Sequence, residues 1–250
     1  MKKVGSFLIL MLLLGVVACR RTYETFPPVN HINITGNVSN LEAANMVANS
    51  LSVSSNGVVN IVGDVTGDAV SFTSNHLGCG TLRADTISRQ SPSGASTTYT
   101  YNLLYNYTVI CGSNNKPDSL SSSLAYSGSN SSSSLSSSNS GSSVFKVSGL
   151  DSAAPTFVIN GEYKSTGTFA SKTDTASHGN NNVDMVISAL TLKKPSRSIE
   201  SGTATISVIG YVPKSGNFSY TGTLVFNDNA TATLTLNGTK YTIDLYTGRF

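Results

Sequence analysis

The chain has 250 residues, and only 12% of them are charged, which is about half the usual share. Ser, Thr, Asn and Gly fill the difference, a composition typical of a β-rich protein outside the cytoplasm. The formal net charge is +3, and no basic cluster is longer than Arg20-Arg21 or Lys193-Lys194. This excludes the basic surface that binds nucleic acid.

Residues 1–18 are predicted to be an export signal. Lys2 and Lys3 precede an apolar run, Phe7 to Val17, that is too short to cross about 30 Å of hydrocarbon as a permanent helix. Small Ala18 suits the site where a signal peptide is cleaved. Removal of the signal lowers the formal net charge from +3 to +1, because only Lys2 and Lys3 are lost.

The last signal residues and the next one, Val16-Val17-Ala18-Cys19, resemble the lipobox of bacterial lipoproteins. The resemblance implies cleavage before Cys19 and a lipid anchor of two or three chains on it, enough for stable attachment to a membrane. Arg20 stands where an Asp keeps enterobacterial lipoproteins in the inner membrane, so the outer membrane is favoured. An uncleaved signal anchor, or ordinary secretion with a spare thiol, is the alternative.

Residues 19–29 contain Pro27-Pro28 and are predicted to be a short lipidated tether, followed by a single large β domain over residues 30–250. A helix is predicted from Asn40 to about Leu51. Ser39 and Glu42 form a capping box there, and apolar residues beginning with Leu41 recur on one face. We expect this amphipathic helix to pack on a sheet.

Asp64 and Asp68 are the best metal candidates, because two carboxylates that flank a glycine turn could share a calcium ion. The further carboxylates of a strong calcium site are missing. The sequence therefore favours a plain turn here, with no metal ion and no cofactor.

Cys79 and Cys111 are the two cysteines that remain once Cys19 carries lipid, and an oxidising compartment favours a disulfide between them. The bond would close a loop of about 33 residues and stabilise the fold by roughly 3 to 4 kcal/mol in the chain-entropy model. Two unpaired buried thiols are the alternative.

Tyrosines alternate with Thr and Asn from Thr97 to Cys111, which predicts a long strand with Cys111 on the tyrosine face. We expect this row in the core; an exposed row that stacks on sugars or bases is the alternative.

The serine-rich tract over residues 119–143 keeps apolar residues at even spacing, which predicts a polar-faced strand, a loop and a strand that resumes at Val144. A disordered linker that divides two domains is the alternative.

Tyrosine is followed by glycine two or four residues later in three segments, a pattern that suggests repeated hairpins: Tyr126/Gly128, Tyr163/Gly167 and Tyr220/Gly222. Near the C-terminus, Asn237-Gly238 predicts a two-residue hairpin turn, with Leu234 opposite Tyr241 and Ala232 opposite Ile243.

A three-residue turn at 227–229 is predicted to set Phe226 against Ala230 and Leu224 against Ala232, and a strand from Thr203 joins the same sheet. The predicted fold is all-β: an antiparallel meander in a sandwich or barrel-like arrangement, with one short N-terminal helix.

Four triplets of Asp, a hydroxyl residue and an apolar residue exceed what the composition predicts. They resemble a short acceptor motif for O-glycosylation of exported proteins in one bacterial phylum, and the resemblance implies sugars on these hydroxyls: Thr86, Ser119, Ser152 and Thr175. The alternative to glycosylation is a structural role, because Asp followed by Ser or Thr is common where a turn or cap leads into a strand.

The chain offers few groups for catalysis, since it has three histidines and no nucleophile motif among its many serines. The sequence predicts a lipid-anchored, non-enzymatic envelope protein with a structural or interaction role, whose partners are the membrane and an envelope protein or glycan. One alternative is a barrel-like carrier that holds a lipid or other apolar ligand on the apolar face of the C-terminal strands. The other is a glycan-binding or adhesive surface on the polar Thr/Asn faces.

Overall fold

The computed structural model describes residues 38–74, 78–113, 115–151 and 153–250. The predicted signal, tether and Cys19 lie outside this range. The helices are α1 (Asn40–Leu51) and α2 (Val58–Ser74), with a 3-10 turn at Val53–Ser55 between them. The strands are β1 (Leu82–Gln90), β2 (Thr98–Cys111), β3 (Pro117–Ser131), β4 (Leu135–Ser148), β5 (Thr156–Ser171), β6 (His178–Lys193), β7 (Ile199–Val212), β8 (Gly216–Phe226), β9 (Thr231–Leu236) and β10 (Thr239–Asp244).

The ten strands form one antiparallel sheet in which each strand pairs with the next along the chain, so the predicted all-β meander is confirmed. β1 and β10 are the edges of the sheet. The two helices lie where a sandwich would have its second sheet: α1 contacts β6, β7, β9 and β10, and α2 contacts β3, β4 and β5. One face of the sheet is thereby buried and the other is exposed to solvent. None of the helices in the described ranges is long and apolar enough to cross a membrane.

Helix α1 begins and ends where the sequence predicts. The Ser39 backbone N–H donates to the Glu42 carboxylate at 2.9 Å, and the Glu42 N–H donates back to the Ser39 hydroxyl at 3.2 Å. This reciprocal pair satisfies two N–H groups that the first turn leaves without a helical partner. Leu41 was predicted on the buried face but is 51% exposed.

Helix α2 corrects the prediction of a turn at Asp64 and Asp68, because both residues lie inside it. Its glycines and β-branched residues disfavour a helix in isolation. Six of its apolar side chains nevertheless recur at helical spacing and are buried: Val58, Ile61, Val62, Val65, Ala69 and Phe72. Packing of this face outweighs the weak local propensity.

The predicted tyrosine strand is β2, and its row is core: Tyr101, Tyr105 and Tyr107 are all buried. The serine-rich tract forms β3 and the first part of β4, which pair from Ser119 opposite Ser148 to Ser131 opposite Ser136. The alternative of a disordered linker is therefore wrong for this tract, because its backbone groups are satisfied by the strand ladder.

The Asn237-Gly238 hairpin is confirmed, with Leu234 opposite Tyr241 and Ala232 opposite Ile243. The register predicted for the preceding turn is wrong by two residues: Phe226 lies opposite Ala232, and Leu224 opposite Leu234.

The cause of that shift is Ala230, which belongs to the turn and not to the strand. It adopts a left-handed φ of 57°, and the turn is closed by the Asn227 N–H donating to the Thr231 carbonyl at 2.9 Å. A shift of two residues keeps the same side chains on the buried face.

The tyrosine–glycine pairs lie within β3, β5 and β8, so they do not mark hairpin turns as predicted. Of their glycines, only Gly128 belongs to a different pattern, in which an aromatic residue on the buried face lies directly opposite a glycine: Tyr101/Gly128, Tyr126/Gly141, Phe145/Gly161, Phe169/Gly179 and Phe218/Gly210. A Cβ on Gly128 would lie 2.2 Å from the Tyr101 ring. The missing side chains let the rings lie across neighbouring strands, which allows the sheet to curve around the helices.

Candidate functional site

The most polar group of buried and half-buried side chains joins α2 to the first two strands. The Asp64 carboxylate accepts hydrogen bonds from the Arg89 guanidinium of β1 and, at 2.6 Å, from the Tyr105 hydroxyl of β2. The Asp64 side chain is only 13% exposed. Each oxygen of Asp64 thus has a donor, and its charge is balanced by Arg89.

Asp68 lies one helical turn further along α2 and faces Arg83 of β1 at 3.7 Å. Arg83 also binds Asp85 of β1 at 2.6 Å and lies 5.8 Å from the centroid of the Phe72 ring. The two metal candidates of the sequence, Asp64 and Asp68, are therefore each paired with an arginine. In the part of the chain that the structure describes, no three ligand-type side chains cluster as a metal site would require.

The tyrosines of this cluster are held in their neutral form. Burial raises the pKa of Tyr105, and the adjacent Asp64 charge raises it further. Burial likewise raises the pKa of Tyr107, reinforced by the carboxylate of Asp68. A neutral Tyr105 hydroxyl is a hydrogen-bond donor to Asp64, so this cluster ties α2 to the edge of the sheet.

Cys79 and Cys111 are joined by a disulfide, with Cα atoms 5.4 Å apart. The bond lies just beyond the β1–β2 ladder, which begins at Leu82 opposite Thr108. The Gly80 N–H donates to the Val109 carbonyl at 2.9 Å in the same region. The disulfide therefore fixes the open end of the hairpin that carries the edge strand.

The four hydroxyls of the glycosylation motif lie in different environments. Thr86 is exposed on β1, and Thr175 is exposed in the turn between β5 and β6. Ser119 is fully buried on β3, so a sugar on its hydroxyl does not fit this fold. Ser152 lies outside the described residues.

At two of the motif's aspartates the structure shows the local turn that is the alternative to a glycosylation signal. The Asp151 side chain accepts from the Ala153 N–H at 2.8 Å, and the Asp174 side chain accepts from the Ala176 N–H at 3.0 Å. Both are the local turns that an Asp before a hydroxyl residue favours.

The apolar face proposed for a carrier is covered by α1. It comprises these residues, of which all but the half-buried Tyr241 are at most 2% exposed: Phe218, Tyr220, Leu224, Phe226, Leu234, Tyr241 and Ile243. The Tyr220 hydroxyl also donates to the Val38 carbonyl just before α1. A ligand could occupy this face only if α1 moved away.

A cleft of about 1560 Å³ opens at the end of the sheet, near the turns that join β4 to β5 and β6 to β7. Lys194 lies in its wall, donates to the Asp151 carbonyl at 2.8 Å, and stands 4.3 Å from the centroid of the Phe157 ring. Burial lowers the pKa of Lys194, and the charge of Asp151 partly offsets this. The ammonium donates to the backbone carbonyls of Gly149 and Asp151, so Lys194 fixes this part of the chain beside Phe157.

The exposed face of the sheet carries two rows of mostly hydroxyl and amide side chains, in which each residue lies directly opposite the next across neighbouring strands. The first row is Gln90, Thr100, Ser129, Ser138, Thr168, Asn180, Tyr211 and Asn217, and the second is Ser88, Asn102, Ser127, Ser140, Thr166, Asn182, Ile209 and Ser219. We call these two rows the hydroxyl-amide surface. Sequence reasoning missed its alignment, which requires the register of eight strands.

Comparison with protein families, with curated proteins and with solved structures finds no match to this chain.

Proposed function

We propose that the chain is a lipid-anchored, non-enzymatic protein of the cell envelope, attached to the outer membrane through Cys19, with a structural or interaction role. The observation that carries the proposal is the sequence Val16-Val17-Ala18-Cys19 at the end of an apolar export signal. The anchor makes the membrane its first partner, and an envelope protein or glycan the second.

The disulfide between Cys79 and Cys111 supports the proposed compartment. Structural disulfides form and persist outside the cytoplasm, and this one fixes an edge strand of the sheet. The charges of Asp64 and Arg89 support a structural role for the interior, because they neutralise each other between α2 and β1.

The test is metabolic labelling with an alkyne fatty acid in a bacterial host, followed by membrane fractionation and intact mass measurement. We expect the wild-type chain to carry label, to begin at residue 19 and to sediment with the outer membrane. Cys19→Ser should abolish the label, whereas Cys79→Ser, the matched control, should keep it. Label in Cys19→Ser, or an unlabelled wild-type chain, would refute the anchor.

A further inference from the structure

The hydroxyl-amide surface differs from the rest of the exposed face in charge. Its two rows contain no Asp, Glu, Lys or Arg. The remaining part of the same face carries several charged side chains: Lys146, Glu162, Lys164, Asp184 and Lys240. These charges lie on β4, β5, β6 and β10, so the two rows cross three strands that carry charges elsewhere on this face without including one. A surface that served solubility alone would carry charges in the rows as well.

The first row also lines a cavity of about 520 Å³ on the exposed face. Five of its consecutive residues contribute to the wall: Gln90, Thr100, Ser129, Ser138 and Thr168. Among the described residues, none of these five side chains has a hydrogen-bond partner within the chain. Their donors and acceptors are therefore available to a ligand.

The chemistry of the surface selects a class of ligand. Hydroxyl and amide groups each donate and accept hydrogen bonds, which matches the hydroxyls of a sugar. An ionic ligand would need counter-charges that the two rows lack, and an apolar ligand would need apolar surface. Tyr211, which is 44% exposed, and Ile209, which is 42% exposed, supply the limited apolar contact that the C–H face of a sugar ring uses.

The rows have the shape for a chain rather than a single sugar. Neighbouring strands lie about 4.8 Å apart, so eight strands extend the surface over roughly 30 Å. Once one part of a polysaccharide is bound, the next part is held at a high effective concentration, so several weak contacts together give appreciable affinity. Several contacts are needed because a single exposed hydrogen bond contributes little net binding free energy.

We propose that the hydroxyl-amide surface binds a neutral polysaccharide, with the cavity beside Ser138 and Thr168 as one contact and Tyr211 as a stacking platform. This inference rests on the proposed interaction role and names the partner class for it. It does not use the buried tyrosines of β2: Tyr101, Tyr105 and Tyr107.

The test is affinity electrophoresis of the full mature chain, extracted in a detergent without a sugar headgroup, through gels that contain dextran, mannan, xylan or β-glucan, with polygalacturonate as the charged comparison. We expect at least one neutral polysaccharide to retard the chain, and added salt to leave the retardation unchanged, because no ion pair contributes.

Two variants localise the binding. Thr168→Lys places a charge and a long side chain in the cavity and should weaken retardation at least about fivefold, and Tyr211→Ala should weaken it comparably. Thr223→Lys is the matched control, since Thr223 is also an exposed threonine on the same face but lies outside both rows. It should bind like wild type, and all three should match wild type in thermal unfolding to within a few degrees.

The inference is overturned if no neutral polysaccharide retards the chain, if only polygalacturonate does, or if Thr168→Lys and Thr223→Lys behave alike. Any of these results would leave the lipid anchor unaffected, because labelling of Cys19 tests it separately.

Discussion

The ring of Phe169 on β5 meets the ring of Phe218 on β8 edge to face, with centroids 5.8 Å apart, although β6 and β7 lie between these strands. Phe169 lies opposite Gly179, and Phe218 lies opposite Gly210. The glycine opposite each ring leaves the room for that ring to lean across the neighbouring strand towards the other. Aromatic contact across two strands therefore depends on these two glycines and on the curvature that they permit.

This relationship predicts that Gly210→Ala destabilises the fold. A Cβ at Gly210 would lie 2.4 Å from the Phe218 ring and 2.2 Å from the Asn180 carbonyl. The backbone carbonyl cannot move aside as a side chain could, so we expect a loss of about 1 to 3 kcal/mol in the free energy of unfolding, measured by urea titration.

Gly63→Ala is the control for Gly210→Ala. Gly63 lies in α2, and a Cβ there meets nothing within 4 Å. Because alanine favours a helix over glycine, this change should stabilise the fold by about 0.5 to 1 kcal/mol. Equal effects of the two substitutions would contradict the proposed role of Gly210.

The sequence predicts those parts of the fold that local chemistry decides. The capping box at Ser39 and the turn at Asn237-Gly238 each depend on residues within one turn, and both are correct. The register at the turn before Thr231 was predicted wrongly, because nothing in the sequence indicates that Ala230 adopts a left-handed φ. Helix α2 was missed because the glycine between Asp64 and Asp68 was interpreted as the centre of a turn.

Less of the candidate site than of the fold could be predicted from the sequence. The partners of Asp64, Arg89 and Tyr105, lie 25 and 41 residues away in the chain, on strands whose order was not established. The hydroxyl-amide surface likewise appears only when the register of eight strands is known. The disulfide was predictable because Cys79 and Cys111 are the only pair once Cys19 is assigned to the proposed lipid anchor.

Asp64→Asn should weaken the attachment of α2 to β1. The substitution leaves the half-buried Arg89 without its counter-ion, and removing one partner of such a pair costs about 1 to 3 kcal/mol. Urea unfolding of Asp64→Asn, Arg89→Gln and the double variant would measure the coupling. The matched control is Glu162→Gln, since Glu162 pairs with Lys164 at 3.1 Å where both side chains are more than half exposed, and we expect a change below about 0.5 kcal/mol there.

The double variant Cys79→Ser/Cys111→Ser should lose roughly 3 to 4 kcal/mol of stability, because the cross-link restricts the unfolded chain. Hydrogen exchange should rise first in β1, the edge strand that the disulfide fixes to β2. Wild-type protein treated with reductant should unfold at the same urea concentration as the variant. Unchanged stability after verified reduction would show that the bond contributes nothing.

If the exported chain is O-glycosylated at the Asp-hydroxyl-apolar motifs, sugars should occur on the exposed Thr86 and Thr175 and not on the buried Ser119. Intact mass spectrometry of Thr86→Ala and Thr175→Ala should then show a stepwise loss of sugar mass, with Ser119→Ala unchanged. An intact wild-type mass without sugar increments ends this proposal and favours the turn interpretation at Asp151 and Asp174.

Stability should fall above pH 10 because buried tyrosines resist ionisation in the folded state. Burial raises the pKa of Tyr126 to about 12, and its hydroxyl donates to that of Tyr163 at 2.7 Å. Below pH 10 the tyrosine is neutral in both the folded and unfolded chains, so its contribution is constant. Between pH 10 and 12 only the unfolded chain loses the proton, which costs the folded state about 1.4 kcal/mol for each pH unit.

Urea unfolding from pH 8 to 11 tests this expectation, with phenolate absorbance as a second readout. Tyr126→Phe should reduce the slope of unfolding free energy against pH above pH 10. Tyr246→Phe is the matched control, because the side chain of Tyr246 is 61% exposed and its removal should leave the slope unchanged. If Tyr126→Phe keeps the full slope, other tyrosines such as Tyr105 and Tyr163, whose pKa values are also raised by burial, carry the alkaline sensitivity.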